Sequence, residues 1–209
     1  MADPNLFMIC QKLNEEAFID MPKGYHLRLC TKEELPIWKA FPFDDETTAK
    51  EYESFMQEYF DLVYKPHIDE FYKQCLFLCD DKNNPIGTAF IWKAYQQFTT
   101  LHWVKIKKEY ENQHLGRAML SAILKTVNKD DFPIYLHTQP ESYRAIKLYS
   151  DFGFQFITNK KVGHRENHLE EGLDELKKFM KKEAFSKFKF TNAPENFICR
   201  LSKFDHDEF

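Results

Sequence analysis

Between residues 74 and 158 a series of strand-like runs gives way to alternating helix-spaced and strand-like segments, and that change narrows the folds open to the chain. Runs at 74–79, 86–93 and 99–106 have the apolar, β-branched and aromatic content of strands. The first two are joined by an Asp-, Asn- and Pro-rich connection at 80–85. After a polar loop at 107–114, helix-spaced segments at 116–128 and 142–152 alternate with strand-like runs at 133–138 and 154–158. Closely linked strands make an antiparallel meander, whereas strand–helix–strand units need right-handed crossovers and parallel neighbours. The expectation is an α/β (α+β) chain with a central mixed sheet, mostly antiparallel, and helices on both faces.

Residues 1–23 are expected as an N-terminal arm, closed by Pro22 and Gly24 before an alternating strand at 25–30. Thr31 and Glu34 form a capping box opening a short helix through Ala40. A second helix follows Asp44-Asp45-Glu46 and carries Tyr52, Phe55, Met56, Tyr59, Phe60 and Val63 at helical spacing. The core is expected over 24–159. Residues 160–209 are expected to complete the same domain with a lysine-flanked amphipathic helix over 173–188 docked on the protein and a last strand at 197–201.

Composition removes several classes. A chain of 209 residues that is 43% hydrophobic, with 21 Phe, can bury a full core. The net charge of -4 comes from 29 basic and 33 acidic residues mixed along the chain, so no cationic field for nucleic acid is expected. No apolar run approaches the ~20 residues of a membrane span, and no membrane partner is expected. The five cysteines are scattered and odd in number, which predicts free thiols in a reducing compartment, the cytoplasm. His164 and His168 are four apart but lack a third ligand, so no metal is expected.

The chemistry concentrates downstream of residue 101. A strand that enters a loop ending at a Gly-started helix leaves backbone N–H groups aimed one way, with the positive end of the helix dipole behind them, a nest for pyrophosphate. The loop reads Ile106-Lys107-Lys108-Glu109-Tyr110-Glu111-Asn112-Gln113-His114-Leu115-Gly116-Arg117-Ala118. Further on comes Ser142-Tyr143-Arg144-Ala145-Ile146-Lys147-Leu148-Tyr149-Ser150-Asp151-Phe152-Gly153-Phe154. These two stretches resemble the GNAT acetyltransferase family, whose motifs read Val-x-Pro-x-Tyr-(Arg or Gln)-x-x-Gly-x-(Gly or Ala) and Asn-x-x-Ala-x-x-Leu-Tyr-x-x-x-Gly-Phe. Lys108 replaces the Pro, Glu111 the Arg or Gln, His114 the first Gly and Ser142 the Asn. A second register, Gln113-x-x-Gly116-x-Ala118, restores the Gln but lengthens the loop by two.

The resemblance implies acetyl-CoA as co-substrate, and a fold in which the strand over 101–106 pairs with its pantetheine arm. Trp103, Val104 and Ile106 would then hold the arm and the thioester. Glu111, Asn112, Gln113, His114, Leu115, Gly116, Arg117 and Ala118 would hold the pyrophosphate. Ser142 and Tyr149 would touch the cofactor arm. Tyr149 falls at the family's general-acid position, and His137 where some members place a base, with His102 and Glu141 in reserve. The implied reaction is acetyl transfer to a primary amine of a small molecule or peptide, by direct attack in a ternary complex, in a monomer or homodimer. The competing reading is a catalytically weak acyl-CoA-binding regulatory module. The acids and aromatics over 41–64 suit a cationic acceptor, or equally a capped helix start.

Overall fold

The computed structural model describes residues 4–209. In chain order they form β1 (Leu6–Cys10), β2 (His26–Leu29), α1 (Leu35–Ala40), α2 (Glu46–Glu51), α3 (Glu53–Val63), α4 (Ile68–Gln74) and β3 (Leu76–Cys79). Next come β4 (Pro85–Ala94), β5 (Phe98–Ile106), α5 (Leu115–Leu124), β6 (Ile134–Thr138), α6 (Tyr143–Asp151) and β7 (Gln155–Ile157). The chain ends with a hairpin of β8 (Lys161–Val162) and β9 (Arg165–Glu166), then α7 (Leu169–Phe179), α8 (Lys182–Phe185), β10 (Phe190–Thr191) and α9 (Glu195–Leu201). The fold is α/β, with mostly antiparallel ladders flanked by helices, as the sequence predicts. Two compact units divide it. One holds the residues up to Ala17 with Tyr95–Thr100 and Asn128–Phe209, the other Phe18–Ala94 and Leu101–Val127.

In the first unit the strand order is β10-β7-β1-β6, then the opening residues of β5. β1 runs antiparallel to β6 along its whole length, Leu6 opposite Thr138 through Cys10 opposite Ile134, and its other edge pairs with β7. β5 meets β6 in parallel at Thr99–Ile134 and Thr100–Tyr135. All five β1 side chains are buried, as for a strand covered on both faces. The arm expected over 1–23 therefore contains a strand inside the sheet. Such a short continuous apolar run carries no period of its own, so its spacing could not announce it.

Two further differences lie near the end of the chain. The last strand expected at 197–201 is instead helix α9, and the parallel strand β10 comes earlier. Pro194 at the N-cap and Glu195 in the first turn start that helix. Phe197 and Leu201, four apart, are its buried face, and Phe197 stacks on Tyr135 at 3.7 Å and 6°. The helix expected over 173–188 breaks at Met180, which is extended, and resumes as α8. α7 does dock on the protein, with Gly172 against Leu6 of β1.

In the second unit the remainder of β5 lies beside β4, and β4, β3 and β2 follow in antiparallel pairing. Its core is aromatic: Trp38, Phe60, Tyr64 and Phe71 from the helices pack with Phe90 of β4. The capping pair expected at Thr31 is present, with Thr31 N–H donating to Glu34 Oε2 at 3.0 Å. Glu34 also takes two 2.7 Å bonds from the Arg28 guanidinium, which holds its carboxyl down to about 2.

Candidate active site

The second unit builds the loop between β5 and α5. Beyond Ile106, Lys107 N–H donates to Ile86 O at 2.8 Å, and a single 3-10 turn spans Lys108–Tyr110. Glu111 is extended, whereas Asn112 and His114 are left-handed, with φ of 60° and 59°. His114 is thus the non-glycine residue at a position that does require positive φ, a conformation costing roughly 1–2 kcal/mol with a side chain present. It is the N-cap of α5, and Gly116 is the helix's second residue, one later than expected.

The first intrahelical bond runs from Ala118 N–H to His114 O at 3.0 Å. The amides of Leu115, Gly116 and Arg117 therefore precede the helical ladder, at the positive end of a ten-residue helix. Leu115 and Ala118 are buried and anchor the turn, while Asn112, Gln113 and His114 are exposed. Tyr25 Oη donates to Gln113 Oε1 at 3.4 Å, a loose tie from loop to scaffold. Such a turn suits a pyrophosphate. The half-buried Glu111 carboxylate is the repulsive feature within it.

β5 itself is irregular. Phe98 to His102 are buried in succession, Trp103 to Ile106 are half-buried, and Trp103 sits at φ 50° in mid-strand. The indole Nε1–H of Trp103 donates to Tyr64 Oη at 2.9 Å, and that oxygen lies 2.6 Å from His102 Nδ1. Burial drives the His102 imidazole down to about 3, so it is neutral and a weak proton acceptor, unsuited to the reserve base role. Tyr64 is the residue the sequence does not single out. It follows α3 as its C-cap, four residues beyond Phe60, where it looks like any core position.

Two acids of the stretch over 41–64 are bonded to the scaffold. Asp44 lies 2.5 Å from Lys105 Nζ of β5, and Asp45 caps α2 by accepting from Thr48 N–H at 2.9 Å. These bonds favour the helix-start reading over a carboxylate cluster awaiting a cation. The aromatics there form pairs, Phe43 stacked on Tyr52 at 5.2 Å and Phe55 beside Tyr59 at 6.3 Å.

The first unit holds the other expected residues. Tyr149, on α6, has a buried ring 5.9 Å from Phe154. Among the described residues its Oη has no hydrogen-bond partner, and burial raises the phenol well above its ordinary value, which keeps it protonated. His137 is on β6 opposite Phe7 of β1, 5.0 Å ring to ring, with Nε2 2.9 Å from Asn5 Oδ1. Burial, then the Arg165 charge, pushes it down to about 3, which suits a hydrogen-bonded core histidine more than a base. Ser142 is exposed at the N-cap of α6 and makes no capping bond, and Glu141 is exposed beside it. His168 Nδ1 accepts from Asn5 N–H at 3.1 Å, and His164 lies 3.2 Å from Asp207. Among the described residues no group of three or more potential ligands could hold a metal, and no helix is long and apolar enough to cross a membrane. Trp103, Val104, Ile106 and 111–118 thus belong to one unit, and His137, Ser142 and Tyr149 to the other.

No curated protein sequence matches the chain. Among solved structures it is similar to a Drosophila protein (16% identity, 74% of this chain and 48% of that one, TM-score 0.47). It is also similar to a functionally unknown conserved protein from Staphylococcus epidermidis (14%, 74% and 57%, 0.49). A third likeness is to an acetyltransferase from the GNAT family of Colwellia psychrerythraea (11%, 74% and 53%, 0.47). The chain spans about half the length of these solved chains. The assignment rests instead on the family model described as Acetyltransferase (GNAT) family, which matches residues 38–154, more than half the chain and all of α5 and α6. The chain belongs to the GNAT acetyltransferase family.

Proposed function

We propose that this chain transfers an acetyl group from acetyl-CoA to a primary amine of a small molecule or peptide, by direct attack in a ternary complex. The observation that carries the reading is the start of α5: a left-handed His114 followed by three amides ahead of the helix's first internal bond. Residues 111–118 would hold the pyrophosphate through their amides, in either motif register. Backbone groups of Trp103, Val104 and Ile106 would pair with the pantetheine arm and offer an N–H to the thioester carbonyl, where charge develops. Ser142 would reach the same arm through its hydroxyl.

As the amine nitrogen bonds to the carbonyl carbon and the carbon–sulfur bond breaks, the thiolate needs a proton. Tyr149, held protonated, would supply it. The amine's own proton would leave to solvent or, as the sequence suggests, toward His137; the low pKa of that imidazole favours solvent. No metal takes part in this scheme. The buried Cys10, Cys30, Cys75 and Cys79 thiols suit a reducing compartment, for which we propose the cytoplasm, and the chain would act as a monomer or homodimer.

The half-buried Glu111 in the loop favours a second reading, a catalytically weak acyl-CoA-binding regulatory module. A thermal shift with acetyl-CoA followed by thiol release over a panel of amines separates the two. Stabilisation with turnover supports the transferase, stabilisation without turnover the module, and no stabilisation removes both.

A further inference from the structure

The backbone of β5 poses a geometric puzzle at residues 102 and 103. Consecutive side chains of an extended strand point to opposite faces, yet His102 and Trp103 both reach one atom, Tyr64 Oη, at 2.6 and 2.9 Å. The strand must turn over between them, and the left-handed Trp103 is where it does so. A bulky residue at positive φ is a genuine outlier, so its surroundings must over-determine it.

We infer that Tyr64 and His102 form a buried positioning pair, which locks Trp103 in its left-handed conformation and thereby sets the backbone amides of residues 103–106 toward the acyl donor. The inference rests on the proposed use of acetyl-CoA. Tyr64 is fully buried and His102 is 4% exposed, so neither can exchange these bonds for water. Trp103 can only donate, so it occupies one lone pair of Tyr64 Oη; the hydroxyl's other lone pair or its hydrogen meets His102 Nδ1, according to the imidazole's tautomer. Tyr59 also hydrogen-bonds to Tyr64. Edge-on rings complete the clamp: Trp103 meets Trp38 at 5.8 Å and 82°, and Tyr59 at 5.4 Å and 84°. His102 is neutral at ordinary pH, so the pair carries no charge there.

Simple core packing would make the same residues hydrophobic neighbours without fixing backbone direction. Tyr64→Phe keeps the ring and removes every bond of the hydroxyl, those to His102 and Trp103 included, so it separates the two roles. Affinities for acetyl-CoA and for CoA would be measured by calorimetry on the full chain. The thioester carbonyl exists only in the first ligand, so Tyr64→Phe should weaken acetyl-CoA about fivefold while CoA stays within about twofold. The cycle is completed with Trp103→Gly, because glycine adopts positive φ without help. In that background Tyr64→Phe should change the acetyl-CoA to CoA affinity ratio by less than about twofold. A loss equal for both ligands, or equal in both backgrounds, assigns Tyr64 to packing and overturns the inference. Failure of the wild type to bind acetyl-CoA removes the proposed function, and the pair's role with it. Binding that Tyr64→Phe leaves intact overturns the pair alone.

Discussion

At the scale of single residues, two side chains carry separable burdens. Tyr149 packs its ring against Phe154 and keeps its proton through burial. Tyr149→Phe should therefore lower the saturated rate by roughly tenfold to a thousandfold with the Michaelis constant for acetyl-CoA nearly unchanged. A rate equal to wild type at saturation would sink the donor role. His114 has the opposite character, since its backbone matters more than its imidazole. His114→Gly should leave stability equal or higher, whereas His114→Val should cost about 1–2 kcal/mol in urea unfolding and weaken CoA. A harmless valine would mean the turn relaxes without positive φ. The need for positive φ at 114 could be read from the sequence, because the motif places Gly there. Tyr64 could not, since at the end of α3 it keeps the spacing of its core neighbours, and its partner His102 lies 38 positions away.

Elements are most legible where period and punctuation agree. The meander, α5 and α6 follow the expected spans to within a few residues, because alternation, polar loops and a helix-start glycine all point the same way. A short apolar run at 197–201 fits a strand or a helix, so its spacing does not announce α9; Pro194 and Glu195 are the signals that start it. At the head of α5, Gly116→Glu adds bulk and negative charge among the amides, so CoA binding should vanish while the circular-dichroism spectrum persists. Unchanged CoA affinity would remove the assigned loop. Where α7 crosses β1, a Cβ on Gly172 would come 2.5 Å from Leu6 Cδ2, and the flexible leucine end must yield. Gly172→Val should cost about 1–3 kcal/mol, and adding Leu6→Ala should recover part of it. Additive losses would show that the two positions do not share that space.

For the molecule as a whole, acid is the informative perturbant. His102 and His137 both lie near pKa 3 in the fold, against ~6.5 in an unfolded chain. Between those values the unfolded chain binds protons that the native one refuses. Their contribution is complete above ~6.5 and is lost progressively as pH falls toward 3, at up to ~1.4 kcal/mol per pH unit for each proton. Glu34, held near 2 by Arg28, adds its loss only from ~4.5 downward. Melting temperature should thus begin to fall between pH 7 and 5, before carboxylates titrate. His137→Gln should flatten that limb, and an unaltered slope would assign it elsewhere. Position in the sheet also fixes a schedule for folding. β1 leaves the ribosome well before its partners, so Leu6 must wait for Thr138 and Met8 for Phe156. At ~5–20 residues per second that is a delay on the order of ten seconds. Throughout it an apolar strand with two unpaired edges is open to capture by a chaperone or by a neighbouring nascent chain.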